Sequence, residues 1–331
     1  MQPGHDVSPK ATTAAPNLNA LIEEACKSIY GLVQQTAVAL LPQDSRIPPS
    51  TRAYAKLEQL QPTGSFKLRG ATNKIMSLSV EAAAKGVVTS STGNHGLGVA
   101  AAAKYRGIDA EVYLSSQISE AKWKKIESYG ARIRMVGDSP LDAEIAARAA
   151  AVESGRTYVS PYNDWQVVAG QGTIAVELAR QVESIDAVFI ATGGGGLISG
   201  IGSYLRERSP STQIVGCWPE NSPVLYECLR AGRISDVPET YTLSESTAGG
   251  VEPGSITFDL ARSVISRGVL VSEGAILDSM KWARERSWNI EGAAGVALAA
   301  FFKEAERFEG KTVVVLFCGG NLSSEVQARM Q

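Results

Sequence analysis

The chain has 331 residues, 44% of them hydrophobic and 20% charged, with a formal net charge of −2. That length sets a prior of two domains with a sizeable core, and the balance of 32 basic and 34 acidic residues without a basic block excludes a nucleic-acid partner held by charge. Four scattered cysteines (Cys26, Cys217, Cys228 and Cys318) form no CxxC pair, which argues against a disulfide framework or a structural zinc site and for a reducing cytoplasm.

Residues 1–17, "MQPGHDVSPKATTAAPN", are polar and lack the apolar region of a signal peptide, so they read as a loose tail. No stretch reaches about 18 consecutive apolar residues, so no membrane span is expected. Apolar spacing predicts a helix over 18–35, and alternation predicts a strand over 53–60. "QPTGSFKLRGA" (61–71) is a small, turn-forming stretch that runs into a helix and carries Lys67 at its centre. The helix should reach about Ser77, with another around "SVEAAAKG".

Strands then alternate with single helices: "GVVTSS", "AEVYLS", "ARIRMVG" and "RTYVSPY" against "GNHGLGVAAAAKYRG", "SEAKWKKIESYG" and "PLDAEIAARAAAVESG". A second set follows. "QGTIAVELARQV" and "LISGIGSYLRE" read as helices, "DAVFIATGGGG" and "QIVGCWPE" as strands, and "KTVVVLFCGGN" as a late buried strand. This rhythm predicts α/β architecture with parallel sheets. We expect a large domain from 18–84 and 165–331, with a small α/β domain, 85–164, inserted into it. A site between them would be built from loops at the carboxyl ends of strands.

"FIATGGGGLISGIG" (189–202) is the strongest single signal. A β-rich run meets Gly193, Gly194, Gly195 and Gly196, then Leu197 and a helix. Glycines let the backbone approach an anion, and the helix N-terminus supplies N–H donors and positive potential. The bland alternative is a tight strand-to-helix turn. No GK[ST] follows and GxGxxG is out of register, so one phosphate monoester fits better than a nucleotide. Cys318, at the end of a core strand, could face a ligand or be a small buried hydrophobe.

"GSFKLRGA", "SSTGNHG", "AGQGT", "TGGGGL" and "CGGN" occur in that order. The combination resembles the serine/threonine dehydratase and serine racemase group of fold-type II pyridoxal-phosphate enzymes, from about residue 20 to the end. It is also similar to phenylserine dehydratases and to dehydratases of hydroxyectoine utilisation. The resemblance implies a tryptophan synthase beta-like fold, with pyridoxal 5'-phosphate between two parallel-sheet domains.

It further implies that Lys67 is the Schiff-base lysine, with Phe66 packed near the ring. Asn94 would meet the ring hydroxyl, Gly193 through Gly196 with Leu197 would hold the phosphate, and Cys318 would meet the pyridine nitrogen. Ser91, Thr92, Gly93, Asn94 and His95 would receive the substrate carboxylate, and Tyr162 and Asn163 would close the ring pocket. A neutral cysteine beside the nitrogen favours elimination over transamination. Several relatives hold a divalent cation where this chain has Trp218 and Val224, so no metal is expected there. Thr92 stands where racemases place a serine, and with "CGGN" so near the end of the sequence no regulatory domain is expected after it.

The activity implied is a dehydratase or ammonia-lyase. It would turn a β-hydroxy-α-amino acid, threonine- or serine-like or an aryl analogue, into a 2-oxo acid and ammonia. The partners expected are that small molecule and a second copy in a homodimer, with no nucleic acid and no membrane. A racemase or a β-replacement synthase would share the lysine and the glycine loop. A non-enzymatic phosphate-ligand binding protein would share the loop alone.

Overall fold

The computed structural model describes residues 15–118 and 120–330. Most of the expected tail, residues 1–14, lies outside them. Asn17 caps α1 (Leu18–Ser28), its side-chain oxygen accepting from Ala20 N. The helix stops at Ser28, short of residue 35. The next turns instead bury Ile29 and Val33 in a small cluster with Leu68 and Ala101, so tertiary burial overrides the helical spacing. The strand expected over 53–60 is β2 (Arg52–Leu57), closed by a 3₁₀ turn at Glu58–Leu60. The edge strand β1 (Val38–Leu40) pairs with it antiparallel and is too short for alternation to reveal. Two helices follow, α2 (Lys67–Met76) and α3 (Val80–Lys85).

Four parallel strands come next: β3 (Val87–Ser90), β4 (Ala110–Leu114), β5 (Arg132–Met135) and β6 (Thr157–Tyr158), in the order β5-β4-β3-β6. Their connections are α4 (Asn94–Arg106), α5 (Glu120–Glu127) and α6 (Pro140–Ser154). Successive strand residues face opposite ways. Accordingly Val87 joins the α4 cluster with Leu97 and Val99, while Val88 joins Ala147 and Ala151 of α6.

The remaining chain adds α7 (Trp165–Gln181), β7 (Ala187–Ala191), α8 (Gly196–Arg208), β8 (Gln213–Pro219), α9 (Val224–Ala231), α10 (Ile256–Val264), β9 (Arg267–Val271), α11 (Glu273–Glu285), α12 (Gly292–Glu304), β10 (Thr312–Phe317) and α13 (Ser324–Arg329). α7 begins six residues before the apolar pattern at Gln171, because the Asp164 side chain accepts from the N–H groups of Gln166 and Val167. The large sheet runs β1-β2-β10-β7-β8-β9, with β1 alone antiparallel. β10 and β7 are buried along their whole length, as their unbroken apolar sequences require of strands covered on both faces. The carboxyl ends of these two central strands lie beside the N-termini of α2 and α4, and the candidate site is assembled there.

Candidate active site

Two glycine-containing loops set Lys67 in place. The bend before α2 pairs with the loop after β10: Phe66 N donates to Cys318 O at 3.0 Å and Gly320 N to Gly64 O at 2.9 Å, with an antiparallel bridge between Ser65 and Gly319. Lys67 is therefore held at the first turn of α2, directly beside the end of a core strand. Its ammonium donates to Pro161 O at 2.9 Å and lies 5.4 Å from the centre of the Phe66 ring. Burial brings its pKa down to about 8, against the weaker pull of Cys318 and Glu291. The amine can thus shed its proton near neutral pH.

The glycine loop forms the opposite wall. Gly195 adopts φ +85°, which a side chain rarely tolerates, and caps α8. A Cβ on Gly194 would sit 2.5 Å from the Tyr162 ring, and one on Gly193 would sit 2.9 Å from Thr247 O. The loop is therefore a cradle that only glycine backbone leaves open, and the first N–H groups of α8 have no carbonyl partners within the helix. Such a cradle can hold a phosphate. Tyr162 lies across it. Its hydroxyl accepts from Glu252 N at 3.0 Å, and burial pushes its pKa up to about 12.

One pocket is lined by Phe66, Lys67, Asn94, Tyr162, Gly193 through Gly196, Leu197 and Cys318. These residues come from five separate stretches of sequence. Cys318 is 2% exposed, and burial holds its thiol well above the ordinary range, so it is neutral. Asn163, next to Tyr162, is outside the lining and its Oδ1 accepts from Ile256 N.

The loop before α4 is placed differently. Ser91, Thr92 and Gly93 are outside the lining of this pocket and partly exposed. His95 is buried and turned away, with Nε2 2.9 Å from Val159 O. Burial, then the charge of Lys67, lowers its pKa to about 3, so the ring is neutral. Its side chain braces the loop.

Glu291 is the residue that sequence reasoning passed over. It is 5% exposed. Both its oxygens accept from Asn94 Nδ2, at 3.0 and 2.9 Å, and Oε1 accepts from Ser246 Oγ at 2.7 Å. Burial raises its pKa above the usual carboxylate range. The available signal was an acid opening the otherwise apolar helix in "NIEGAAGVALAAFF". Ser246, Thr247 and Ala293 also line the pocket and carry no motif.

The comparisons with known proteins agree with this geometry. The model of the family described as pyridoxal-phosphate dependent enzyme matches residues 29–319. An L-threonine ammonia-lyase of Thermotoga maritima is 36% identical over 302 residues, which is 91% of this chain and 75% of that protein. Among solved structures, the processed form of threonine deaminase isoform 2 from Solanum lycopersicum superposes with a TM-score of 0.90 at 28% identity, covering 95% of this chain and 92% of that one. Serine racemase from Dictyostelium discoideum gives 0.85 at 32% identity, covering 92% and 98%. With an enclosed lysine amine facing a phosphate cradle, and a family match over most of its length, this chain belongs to the pyridoxal-phosphate dependent enzymes of fold type II.

Proposed function

We propose that the protein is a dehydratase of β-hydroxy-α-amino acids, releasing a 2-oxo acid and ammonia. The observation that carries this is a single one: the amine of Lys67, depressed to about pKa 8, shares a pocket with the glycine cradle, Asn94 and a neutral Cys318. The cradle would take the phosphate of the cofactor, Phe66 and Tyr162 would lie in the pocket with its ring, and Lys67 would be its covalent anchor. Bound pyridoxal phosphate supplies an electron sink that acidifies the Cα–H bond of an amino acid.

This chain's residues do the rest. Lys67, as a neutral amine, would accept the Cα proton. Asn94 would orient the ring oxygen. Cys318 would set a neutral thiol, rather than a carboxylate, beside the ring nitrogen, which would favour elimination over transamination. Backbone N–H groups of the Ser91–His95 loop receive the substrate carboxylate. The β-hydroxyl departs as water, and water then replaces the amine, so the net products are one 2-oxo acid and one ammonia.

The domain division we infer is 18–84 with 165–331, and 85–164 inserted. It is supported by the four strands β3–β6 forming their own sheet between the two chain segments of the larger one. The four cysteines are all free, which supports a reducing compartment, and none of the described helices is long and apolar enough to cross a membrane. At the expected cation position the Trp218 indole fills the groove over Gly216 and Gly268, 5.4 Å from the Tyr226 ring. Neither Trp218 nor Val224 offers the oxygen donor a hard cation requires.

Among the described residues no arginine lines the pocket, and Arg148 of α6 is paired with Glu252 and Glu144. That supports a neutral β-substituent. The test is kcat/KM for serine, threonine, phenylserine and hydroxyaspartate, scored by 2-oxo acid and ammonia release. We expect preference to rise from serine to threonine to phenylserine, each added apolar group being worth about 1–3 kcal/mol. Stereochemical inversion without ammonia would establish a racemase, and turnover only with an added nucleophile a replacement synthase. Hydroxyaspartate as the best substrate would overturn the apolar ordering alone.

A further inference from the structure

The amide of Asn94 has two ends, and only one of them can donate a hydrogen bond to a ring oxygen. What decides which end faces which way lies in a line of side chains running out to the surface. Asn321, in the loop after β10, donates through Nδ2 to Thr63 O at 2.8 Å and to Asn94 Oδ1 at 2.7 Å. Its Oδ1 accepts from Lys125 Nζ, on α5 of the smaller sheet, at 2.7 Å. Asn94 Nδ2 then donates to Glu291, which also accepts from Ser246.

The direction of this line is dictated at its ends. Thr63 O is a carbonyl and can only accept. Lys125 is an ammonium and can only donate. Between them, Asn321 must point its NH₂ inward and its oxygen outward. Asn94 must therefore turn its own oxygen to Asn321 and its NH₂ toward Glu291, whose carboxylate also only accepts. An amide nitrogen carries two N–H bonds, and a carboxylate that takes a forked bond from one of them, with both oxygens near Nδ2, would leave the other for the site. Asn94 and Glu291 are 8% and 5% exposed, so water does not substitute freely for either partner.

We propose that Asn321 is a positioning residue: with its NH₂ committed to Thr63 O and Asn94 Oδ1, it fixes the Asn94 amide with its donor end toward the cofactor ring. The inference rests on the proposed role of Asn94. It also ties the ring contact to the smaller sheet, because α4, which carries Asn94, and α5, which carries Lys125, both meet the loop of Asn321.

The sharpest test is Asn321→Asp, which keeps the shape and the bond from Lys125 but replaces the inward NH₂ with an acceptor. That acceptor faces Thr63 O and Asn94 Oδ1, so the Asn94 amide must flip and set its oxygen against Glu291. Two properties of the holoenzyme are read: the visible absorption maximum of the bound cofactor, and the rate at which cofactor is lost on dilution into a scavenger. We expect a shifted maximum and about five- to tenfold faster loss, the range of one buried hydrogen bond. Lys125→Met, which leaves both inward bonds of Asn321 intact, should change the loss rate by less than about twofold. Should the aspartate variant not fold, Asn321→Ser, which keeps one donor, is read in the same way and should give a smaller shift of the same sign. A folded Asn321→Asp (or the serine variant in its place) with the parent's spectrum and loss rate would overturn the proposal. A parent that binds no cofactor, or a Lys67→Ala variant that keeps the visible band, would instead sink the functional reading beneath it.

Discussion

Two sets of buried polar groups flank the first turns of α2, and they are built on opposite plans. Behind the helix, Lys56, Glu58, Arg69 and Glu177 form a neutral cluster with side chains at most 3% exposed. Its groups are used up. Lys56 Nζ donates to Thr36 O, Glu177 and Gln181. Arg69 donates to Glu58, Glu177, Thr173 and Gln34 O. In front, Lys67 donates to the single carbonyl of Pro161, Cys318 is a neutral thiol at the end of β10, and Glu291 is pushed upward in pKa by burial. Lys67 and Arg69 are two residues apart on one helix. The difference teaches how a fold keeps a reactive amine: full pairing on one face holds the helix still, so that the other face can leave its groups unspent.

The comparison breaks first at Lys67 and Arg69 themselves. Lys67→Ala should reduce turnover by about 10³-fold or more, since no neighbour can be both anchor and base. The melting temperature of the cofactor-free protein should stay level or rise at pH 7. The folded pKa of Lys67, about 8, lies below its ordinary 10.5. Burying this cation therefore costs stability at every pH below about 8, and the cost fades as pH rises from 8 toward 10.5. Arg69→Ala should do the reverse. It strands Glu58 and Glu177 in the core, for a loss of about 3–5 kcal/mol in denaturant unfolding. An Arg69→Ala protein as stable as the parent would dissolve the distinction between the two faces.

A pH series sharpens the same contrast. The charge cluster behind α2 holds Glu58 ionised: burial pushes its pKa up, but Arg69 and Lys56 outweigh this and hold it below the usual value. It should therefore not titrate near neutrality. Cofactor uptake by the cofactor-free protein should instead follow the neutral fraction of Lys67, rising by about tenfold per pH unit and levelling off above pH 8. Uptake that is flat from pH 6 to 9 would mean the amine is already neutral, or is not the group that reacts.

Much of this was legible beforehand, and the boundary of legibility is physical. The strands β7 and β10 and the glycine loop show in sequence because local chemistry forces them: unbroken apolar runs, then residues without side chains. Lys67 shows only as a lysine inside a turn-forming stretch, and its role comes from the resemblance that "GSFKLRGA" carries together with the other motifs. Glu291 does not, because its meaning comes from Asn94, 197 residues away. Arg69 reads as one more helix charge until Glu58 and Glu177 are folded around it. The α9 and α10 helices (Val224–Ala231 and Ile256–Val264) are not legible in sequence because they are short and separated by the long irregular stretch 232–255.

The smallest expected effect tests whether the front set tolerates exchange within its own plan. Cys318→Ser keeps a small neutral group at the end of β10. The hydroxyl is more polar than the thiol in a position 2% exposed, so a loss of about 1 kcal/mol in stability is expected, with kcat/KM for threonine within about threefold of the parent. Cys318→Asp departs from that plan. It sets a second carboxyl within the electrostatic reach of Glu291, which is already buried against its penalty, and like charges so placed drive one of them to bind a proton. Such a proton would be shared between the introduced carboxyl, its neighbours and the ring nitrogen, which favours the protonated ring over elimination. We therefore expect kcat for threonine to fall by more than tenfold in the aspartate variant, an expectation that rests on the proposed contact of residue 318 with the ring. Measured side by side with cofactor content normalised, an aspartate variant as fast as the serine one would show that residue 318 does not face the reacting system at all.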